Sequence, residues 1–268
     1  MCRLYGMRAT HPTRPACELI DAQNSLIQQA VEDGRGLENP HGWGIGWVHD
    51  GATECARQVE PADESAEYRR NVLDTAAETV VAHVRRATVG DPCYENTHPF
   101  RDGEQFLAHN GHVGKFDAVR PKILEALPAG VADRIQGTTD SEHVFQLVRS
   151  YREEGDDMID ALRRAVDRLQ RWTLDAGGEP ELALNTLWVD RGELAGTKVE
   201  RSLWYLVRDE PITCSICDAP HAHPPGDDEY RSVVVASEKI TDEDWVRMPE
   251  GSVFEVDDDL SIRLQPVV

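Results

Sequence analysis

The sequence is poor in cysteine and has no long apolar run. Only six of its 268 residues are cysteines, too few for a disulfide scaffold in a chain of this length. No apolar stretch approaches the roughly 20 residues that a membrane-spanning helix needs, and the mean hydropathy is -0.50. The first 20 residues contain scattered Arg and Pro and no apolar segment, so we expect no secretory signal, a cytoplasmic location and reduced thiols.

Positive charge is scarce as well. Lys and Arg number 28 against 49 Asp and Glu, which gives a net charge of -21. Such a field repels a phosphate backbone, so we expect no nucleic-acid partner, and we expect no membrane partner either. The acidity suits a salty cytoplasm or a GC-rich genome equally well. The sequence also lacks the G-x-x-x-x-G-K-[ST] loop that binds ATP, and we expect no cofactor.

Strand patterns occur towards both ends of the chain, and helical spacing dominates its middle. The patterns predict strands at 2–8, 43–49, 53–59, 79–85, 105–109, 182–189, 202–207, 231–236, 252–256 and 261–264. They predict helices at 16–31, 68–77, 116–127, 141–153 and 158–174. Hairpin turns such as Asp50-Gly51 indicate antiparallel sheets, so the expected class is α+β, with a single domain over 1–268 because no long linker is present.

The second residue is a cysteine. Removal of Met1 would leave Cys2 with a thiol and a free α-amine, whose pKa near 8 leaves much of it neutral at cellular pH. The amine could accept the thiol proton and later protonate a leaving group, so that one residue supplies nucleophile and base. The alternative is an ordinary small residue at a chain start, because a lone cysteine is usually inert.

Three other segments carry chemistry that would complete such a site. Arg85 ends a buried strand, where a guanidinium can clamp a carboxylate, although a surface arginine is the simpler interpretation of its neighbour Arg86. Asn110-Gly111 could supply oxyanion donors or form a plain turn. Asp140, at a helix start, could hold an ammonium group or serve only as part of a helix cap.

Taken together, these groups form a set of nucleophile with base, carboxylate clamp, oxyanion donors and ammonium acceptor. The set suits a substrate that bears an α-carboxylate, an α-amine and a distal amide. Glutamine has all three groups, and so does a γ-glutamyl amide.

At these residues the chain resembles the class II glutamine amidotransferases of the N-terminal-nucleophile (Ntn) hydrolase superfamily, in their compact stand-alone form. The resembling segments are MCRLYGM, HGWGIGW, VVAHVRRATVG, ENTHPF, AHNG, TTDSE and VVVASEKITDEDWVRMPEG, in order along the chain. The resemblance implies a four-layer αββα sandwich with two mainly antiparallel sheets.

The resemblance also implies a role for each matched residue. Cys2 would be the nucleophile, Arg85 the carboxylate clamp and Asp140 the ammonium partner, with Asn110 and Gly111 as the oxyanion hole. Their neighbours complete the expected substrate-binding set: His83, Thr88 and His109. Members that feed a synthetase usually carry an aromatic residue and a histidine where this chain has Arg86 and Val89, so the pocket wall differs.

The resemblance leaves the substrate open between two enzymes. One takes glutamine, forms a γ-glutamyl thioester and passes ammonia to an acceptor, with a synthetase partner or a homo-oligomer as the candidate assembly. The other cleaves a larger γ-glutamyl conjugate, as does the similar hydrolase of ergothioneine synthesis. A third hypothesis is a non-catalytic metal-binding module that keeps the same fold.

A cysteine and histidine cluster near the C-terminus is a candidate metal site. Cys214, Cys217, His221 and His223 offer four ligands of the kind that zinc takes. The spacing differs from that of a standard zinc finger, and the segment is rich in proline, so an ordinary loop is the preferred interpretation.

Overall fold

The computed structural model describes residues 2–177, 181–210, 221–222, 224 and 229–267. Thirteen strands lie in these residues: β1 (Arg3–Thr13), β2 (Trp43–His49), β3 (Ala52–Gln58), β4 (Ala77–Val84), β5 (Phe100–Asp102), β6 (Gln105–Val113), β7 (Leu182–Asp190), β8 (Glu193–Lys198), β9 (Trp204–Arg208), β10 (Ser232–Ala236), β11 (Val246–Arg247), β12 (Ser252–Val256) and β13 (Ile262–Pro266).

Five α-helices accompany the strands: α1 (Leu26–Val31), α2 (Ala66–Asp74), α3 (Phe116–Ala126), α4 (Asp140–Glu153) and α5 (Met158–Asp175). None of the helices in the described ranges has the length and apolar character needed to cross a membrane. The helix α5 places its apolar residues on one face, which is the face that it buries.

The strands form two sheets whose paired strands run antiparallel. The seven-stranded sheet has the order β11-β9-β10-β1-β4-β2-β3, and the six-stranded sheet has the order β13-β12-β8-β7-β6-β5. In the first sheet β1 lies at the centre, between β10 and β4. In the second, β6 lies between β7 and the short edge strand β5.

Three clusters of buried apolar side chains fill the spaces between the layers of the sandwich. Because side chains alternate across a strand, Tyr5 and Met7 of β1 pack under α1 and α2, whereas Leu4 packs between the sheets. In β6, Leu107 faces the layer of α3, α4 and α5, while Phe106 packs between the sheets. The predicted αββα sandwich of class α+β is therefore confirmed.

The predicted helix at 16–31 is wrong in its length. Residues Cys17–Asp21 form a wide turn with π-type hydrogen bonding, Ala22 is extended, and α1 begins only after Ser25. The side chain of Ser25 donates a hydrogen bond to the Ile20 carbonyl, which is a local alternative to helix continuation. The sequence patterns also missed β8 and the two short strands β5 and β11, which are too brief to show an alternation.

Candidate active site

The register between β1 and β4 brings Cys2 next to Arg85. Arg3 pairs with Val84 in this antiparallel ladder, so the residue before β1 lies opposite the residue after β4. The Arg86 N–H donates to the Cys2 sulfur at 3.3 Å, and the thiol approaches the Arg86 carbonyl at 3.5 Å. Two segments that are more than 80 residues apart in sequence thus meet at one end of the seven-stranded sheet.

Burial is the main influence on the Cys2 thiol. It raises the pKa of the thiol, while the Arg86 N–H and the charges of Arg85 and Arg3 act in the opposite direction. Because the raising effect is the larger, the thiol is protonated near neutral pH. A nucleophilic reaction at this sulfur therefore requires a base close by.

Arg85 is buried and holds the chain segment that follows it. Its guanidinium donates to the carbonyls of Val89 and Gly90 at 3.1 Å each and to that of Asp91 at 3.3 Å. A guanidinium has five N–H donors, and these three bonds leave two of them without a partner among the described residues. The side chain is 2% exposed, and a strand end on one side and its own loop on the other fix its position.

Asp140 joins the start of α4 to the end of β6. One of its carboxylate oxygens accepts from the Val113 N–H at 2.7 Å, and the other accepts from the Ser141 N–H at 2.8 Å. The free amide groups at a helix start favour a negative charge, and the carboxylate lies near enough to act on Arg85. The helix itself is capped by Thr139, whose hydroxyl accepts from the Glu142 N–H at 3.3 Å.

His109 is locked between β7 and α4. Its Nε2 donates to the Ala183 carbonyl at 3.0 Å, which leaves Nδ1 to accept from the Ser141 hydroxyl at 2.9 Å. Burial lowers the pKa of His109, in agreement with a neutral ring in this tautomer. The histidine therefore holds the first turn of α4 against β6.

Gly111 has a steric reason to be glycine. A Cβ at this position would lie 1.8 Å from the Ala183 carbonyl oxygen and 2.6 Å from the His109 ring, so no other residue fits. Asn110, its neighbour, is on the alternate face of β6 and points between the sheets. Its amide nitrogen is 3.5 Å from the Ser237 hydroxyl, and its amide oxygen has no hydrogen-bond partner among the described residues.

A small cavity collects most of the residues predicted from the sequence. Cys2, Arg85, Thr88, His109, Gly111 and Asp140 all line it, together with Arg86, Val89, His98, Thr139 and Ser141. Its free volume is about 20 Å³, which is room for about one water molecule. Two predicted residues, His83 and Asn110, lie beside the cavity and do not line it.

His98 is a residue of this cavity that the sequence prediction did not include in the site. Its ring stacks on that of His83 with a centroid distance of 4.2 Å, and burial lowers the pKa of both rings, that of His83 to about 3. The sequence signal that could have indicated His98 is the long loop between Arg85 and β5, in which this histidine lies. The side chain of Asn96 fixes this loop, because it donates to the Asp91 carbonyl at 3.0 Å and accepts from the Thr138 N–H at 2.7 Å.

The candidate metal ligands lie mostly outside the described residues. Cys214, Cys217 and His223 fall there, so the structure does not address the four-ligand set. His221 is described, and its Nδ1 lies 3.6 Å from a carboxylate oxygen of the buried Glu18. Arg208 also pairs with Glu18, at 2.7 Å, and these contacts hold the pKa of Glu18 at about 2 in spite of its burial.

Comparison with known proteins identifies the family of the chain. The family model described as "Glutamine amidotransferases class-II" matches residues 1–264, so the chain belongs to the class II glutamine amidotransferases. A probable glutamine amidotransferase of Saccharomyces cerevisiae, DUG3, is 27% identical over 316 residues, which cover 100% of this chain and 85% of the yeast protein. The γ-glutamyl-hercynylcysteine sulfoxide hydrolase of Mycolicibacterium smegmatis is 27% identical over 232 residues, which cover 84% of this chain and 90% of that protein.

A solved structure supports the fold. The glutamine aminotransferase class-II domain protein from Silicibacter pomeroyi superimposes with a TM-score of 0.67 at 21% identity and covers 99% of both chains. At this identity the likeness concerns the arrangement of sheets and helices. The resemblance that the sequence motifs indicated is thereby confirmed at the level of family and fold.

Proposed function

We propose that this chain is an amidohydrolase that cleaves the side-chain amide of glutamine, or of a γ-glutamyl amide, with Cys2 as its nucleophile. The observation that carries the proposal is the single cavity lined by Cys2, Arg85, Gly111 and Asp140. A thiol, a guanidinium and a carboxylate around one cavity suit a substrate with a carbonyl carbon to attack, a carboxylate and an ammonium group. Membership in the class II glutamine amidotransferases supports the same chemistry.

The nucleophile needs a base, because burial raises the pKa of the Cys2 thiol. Once Met1 is removed, the α-amine of Cys2 has a pKa near 8 and lies on the same residue as the sulfur. It accepts the thiol proton, directly or through one water molecule. The Arg86 N–H, which donates to the sulfur at 3.3 Å, stabilises the thiolate that results.

The thiolate then forms a bond to the amide carbon while the carbonyl electron pair moves to oxygen. The Gly111 N–H and the Asn110 amide are the proposed donors to this oxyanion. The Asn110 amide has only a long contact with Ser237, at 3.5 Å, so it is free to turn towards a substrate. When the electron pair returns, the C–N bond breaks and the protonated amine of Cys2 gives its proton to the leaving nitrogen.

The γ-glutamyl thioester left on Cys2 is hydrolysed in a second step. The same amine removes a proton from water, whose oxygen bonds to the thioester carbon as the C–S bond breaks. Glutamate leaves, and the sulfur regains its proton. Throughout both steps Arg85 holds the α-carboxylate of the substrate, and Asp140 holds its α-ammonium group.

Substrate entry requires a rearrangement of the loop that begins at Arg86. The cavity of about 20 Å³ holds about one water molecule, whereas glutamine has several times that volume. We infer that the substrate carboxylate replaces the carbonyls of Val89 and Gly90 as a partner of Arg85. The loop then moves away from the Arg85 guanidinium, to which its carbonyls are hydrogen-bonded in this structure.

The leaving group separates the two candidate substrates. If it is ammonia, the enzyme is a glutaminase that supplies nitrogen to an acceptor. If it is a larger amine, the reaction is similar to that of the mycobacterial hydrolase. The match to that protein covers most of this chain and most of the hydrolase. Arg86 and Val89 line the cavity and are the residues that would meet a larger leaving group. A single domain, a cytoplasmic location and a synthetase or second-copy partner remain predictions from the sequence.

A panel of γ-glutamyl amides tests the proposal. Purified protein is incubated with glutamine and with γ-glutamyl amides of increasing leaving-group size, and free glutamate is measured by mass spectrometry. We expect release from at least one amide and none above background with Cys2→Ala, because the sulfur is the attacking atom. The amide with the highest kcat/KM identifies the substrate class.

An intact-mass measurement on the same protein completes this test. We expect active protein to lack Met1, since the mechanism needs the amine of Cys2. Unchanged turnover in Cys2→Ala would end the mechanism. Retention of Met1 together with no glutamate release from any amide would favour the non-catalytic binding module.

A further inference from the structure

A second and larger cavity lies at the edge of the sandwich, next to the edge strands β3 and β5. Its volume is about 280 Å³, which is enough to hold a small metabolite. It is lined by Arg57, Phe100, Arg101, Asp102, Arg134, Gln136, Glu142, Phe145 and Gln146. We call it the arginine pocket. It shares two chain segments with the Cys2 cavity, because His98 and Ser141 line one cavity while Phe100 and Glu142 line the other.

The two carboxylates of the arginine pocket are already engaged. Asp102 forms ion pairs with Arg134 at 3.2 Å and with Arg149 at 2.5 Å. Glu142 accepts from the main-chain N–H groups of Gln136 at 2.9 Å and Gly137 at 2.6 Å. Neither acid forms an ion pair with Arg57 or Arg101, although the charge of Glu142 acts on Arg57 across the pocket.

Arg57 and Arg101 are the two arginines of the pocket lining that form no ion pair with Asp102 or Glu142. Arg57 donates to the carbonyls of Thr97 at 2.8 Å and Pro99 at 3.2 Å, and its guanidinium lies 4.4 Å from the centre of the Tyr94 ring. Arg101 donates to the Gly103 carbonyl at 3.0 Å. Within the part of the chain that the structure describes, neither forms an ion pair with a carboxylate.

Carboxylates outnumber basic side chains 49 to 28 in the chain as a whole. Two guanidinium groups that face one cavity without a carboxylate partner keep a positive potential there. The forked donors of a guanidinium match the paired oxygens of a carboxylate or a phosphate.

We propose that the arginine pocket binds a small anion through Arg57 and Arg101, by a carboxylate or phosphate group of that ligand. Phe100 and Phe145 supply apolar wall for the rest of the molecule, and the amides of Gln136 and Gln146 supply neutral polar groups. A nucleic-acid phosphate is a poor occupant, because the net charge of -21 repels a polyanion. The site is separate from Cys2 and takes no part in the amide cleavage.

Calorimetric titration with inorganic phosphate and with succinate, at matched ionic strength in chloride, tests the pocket. The protein is used whole, in native form and as Cys2→Ala, so that the result is independent of any amide hydrolysis. We expect saturable binding of at least one of the two anions below roughly 10 mM. Binding of phosphate alone or of succinate alone would identify the group that the pocket recognises.

Arg101→Gln is the decisive variant, because Arg101 is exposed and its loss should not affect folding. We expect it to weaken binding roughly tenfold or more, as the loss of a charge-assisted hydrogen bond does. Arg171→Gln, on the exposed face of α5, removes the same charge outside the pocket and should bind as the native protein does. Failure of both anions to saturate, or equal affinity in Arg101→Gln, would overturn the proposal.

Discussion

The two walls of the Cys2 cavity are held in different ways. On the side of the seven-stranded sheet, Arg85 bonds to the main chain of its own following loop, within six residues in sequence. On the side of the six-stranded sheet, Asp140 and His109 bond across elements that lie tens of residues apart. The second wall is thus fixed by contacts between distant elements, whereas Arg85 in the first wall is held by the carbonyls of a single loop.

This difference leads us to propose a separate task for each wall. A preorganised group stabilises a transition state best when it does not move during the reaction, which suits the proposed Gly111 N–H donor in the β6 ladder, whereas the Asn110 amide first turns towards the substrate. A guanidinium held by loop carbonyls can exchange them for a substrate carboxylate, which suits binding. Substitutions on the two walls should therefore affect different kinetic constants.

Asn110→Ala tests the six-stranded side and should have the largest effect. We expect kcat to fall on the order of 10²–10³ with little change in KM, because the lost donor acts on the oxyanion rather than on the bound substrate. Steady-state kinetics with the best amide of the panel measures both constants. Asn71→Ala, on the outer helix α2, is the matched control. A near-normal kcat in Asn110→Ala would mean that other donors form the oxyanion hole.

Arg85→Lys tests the seven-stranded side and should act mainly on binding. A single ammonium group cannot reproduce the fork that holds a carboxylate, so we expect KM to rise roughly tenfold to 100-fold while kcat changes less. The control is Arg69→Lys on the exposed side of α2. If the substitution lowered kcat as strongly as Asn110→Ala and left KM unchanged, the division of tasks between the walls would be wrong.

The sequence predicted which residues meet at this cavity better than how they are held there. Strand ends at Cys2 and Arg85 follow from local alternation, and a helix start at Asp140 follows from its capping residues. The strand predicted to end at His109, before an Asn110-Gly111 turn, was too short, because β6 continues to Val113 and carries Asn110 in its interior. The carbonyl partners of Arg85 could not be predicted, because main-chain acceptors leave no trace in residue type. The place of His98 depends on how a long loop folds back over His83. Asn110 points between the sheets because of its position in β6, which only the register with β7 fixes.

The helix predicted at 16–31 failed for a similar reason. Its apolar spacing is real, and Leu19, Leu26 and Ile27 all reach the same core cluster. Two short pieces joined by an extended residue bury those side chains as well as one helix would. Periodicity reports which residues are buried, and it does not report whether the chain between them is continuous.

The buried histidines beside the cavity give the smallest predicted effect, on stability. Burial lowers the pKa of His83 from 6.5 to about 3, so the folded protein keeps this ring neutral while the unfolded chain protonates it. Between about pH 6.5 and pH 3 the unfolded state binds the extra proton, and stability therefore falls as the pH is lowered through this window. His83 should contribute up to about 1.4 kcal/mol per pH unit to that slope.

His83→Gln removes this titration and should reduce the slope of the unfolding free energy against pH by about one proton below pH 6. Urea denaturation between about pH 7 and pH 5 measures the slope, and His49→Gln, at an exposed histidine, is the matched control. His98 should still contribute in the variant, since burial lowers its pKa as well. A slope equal to that of the native protein would mean that the interior beside the cavity admits a charged ring. The stacked rings of His83 and His98 would then belong to the side of the cavity that rearranges when substrate enters, rather than to the fixed core.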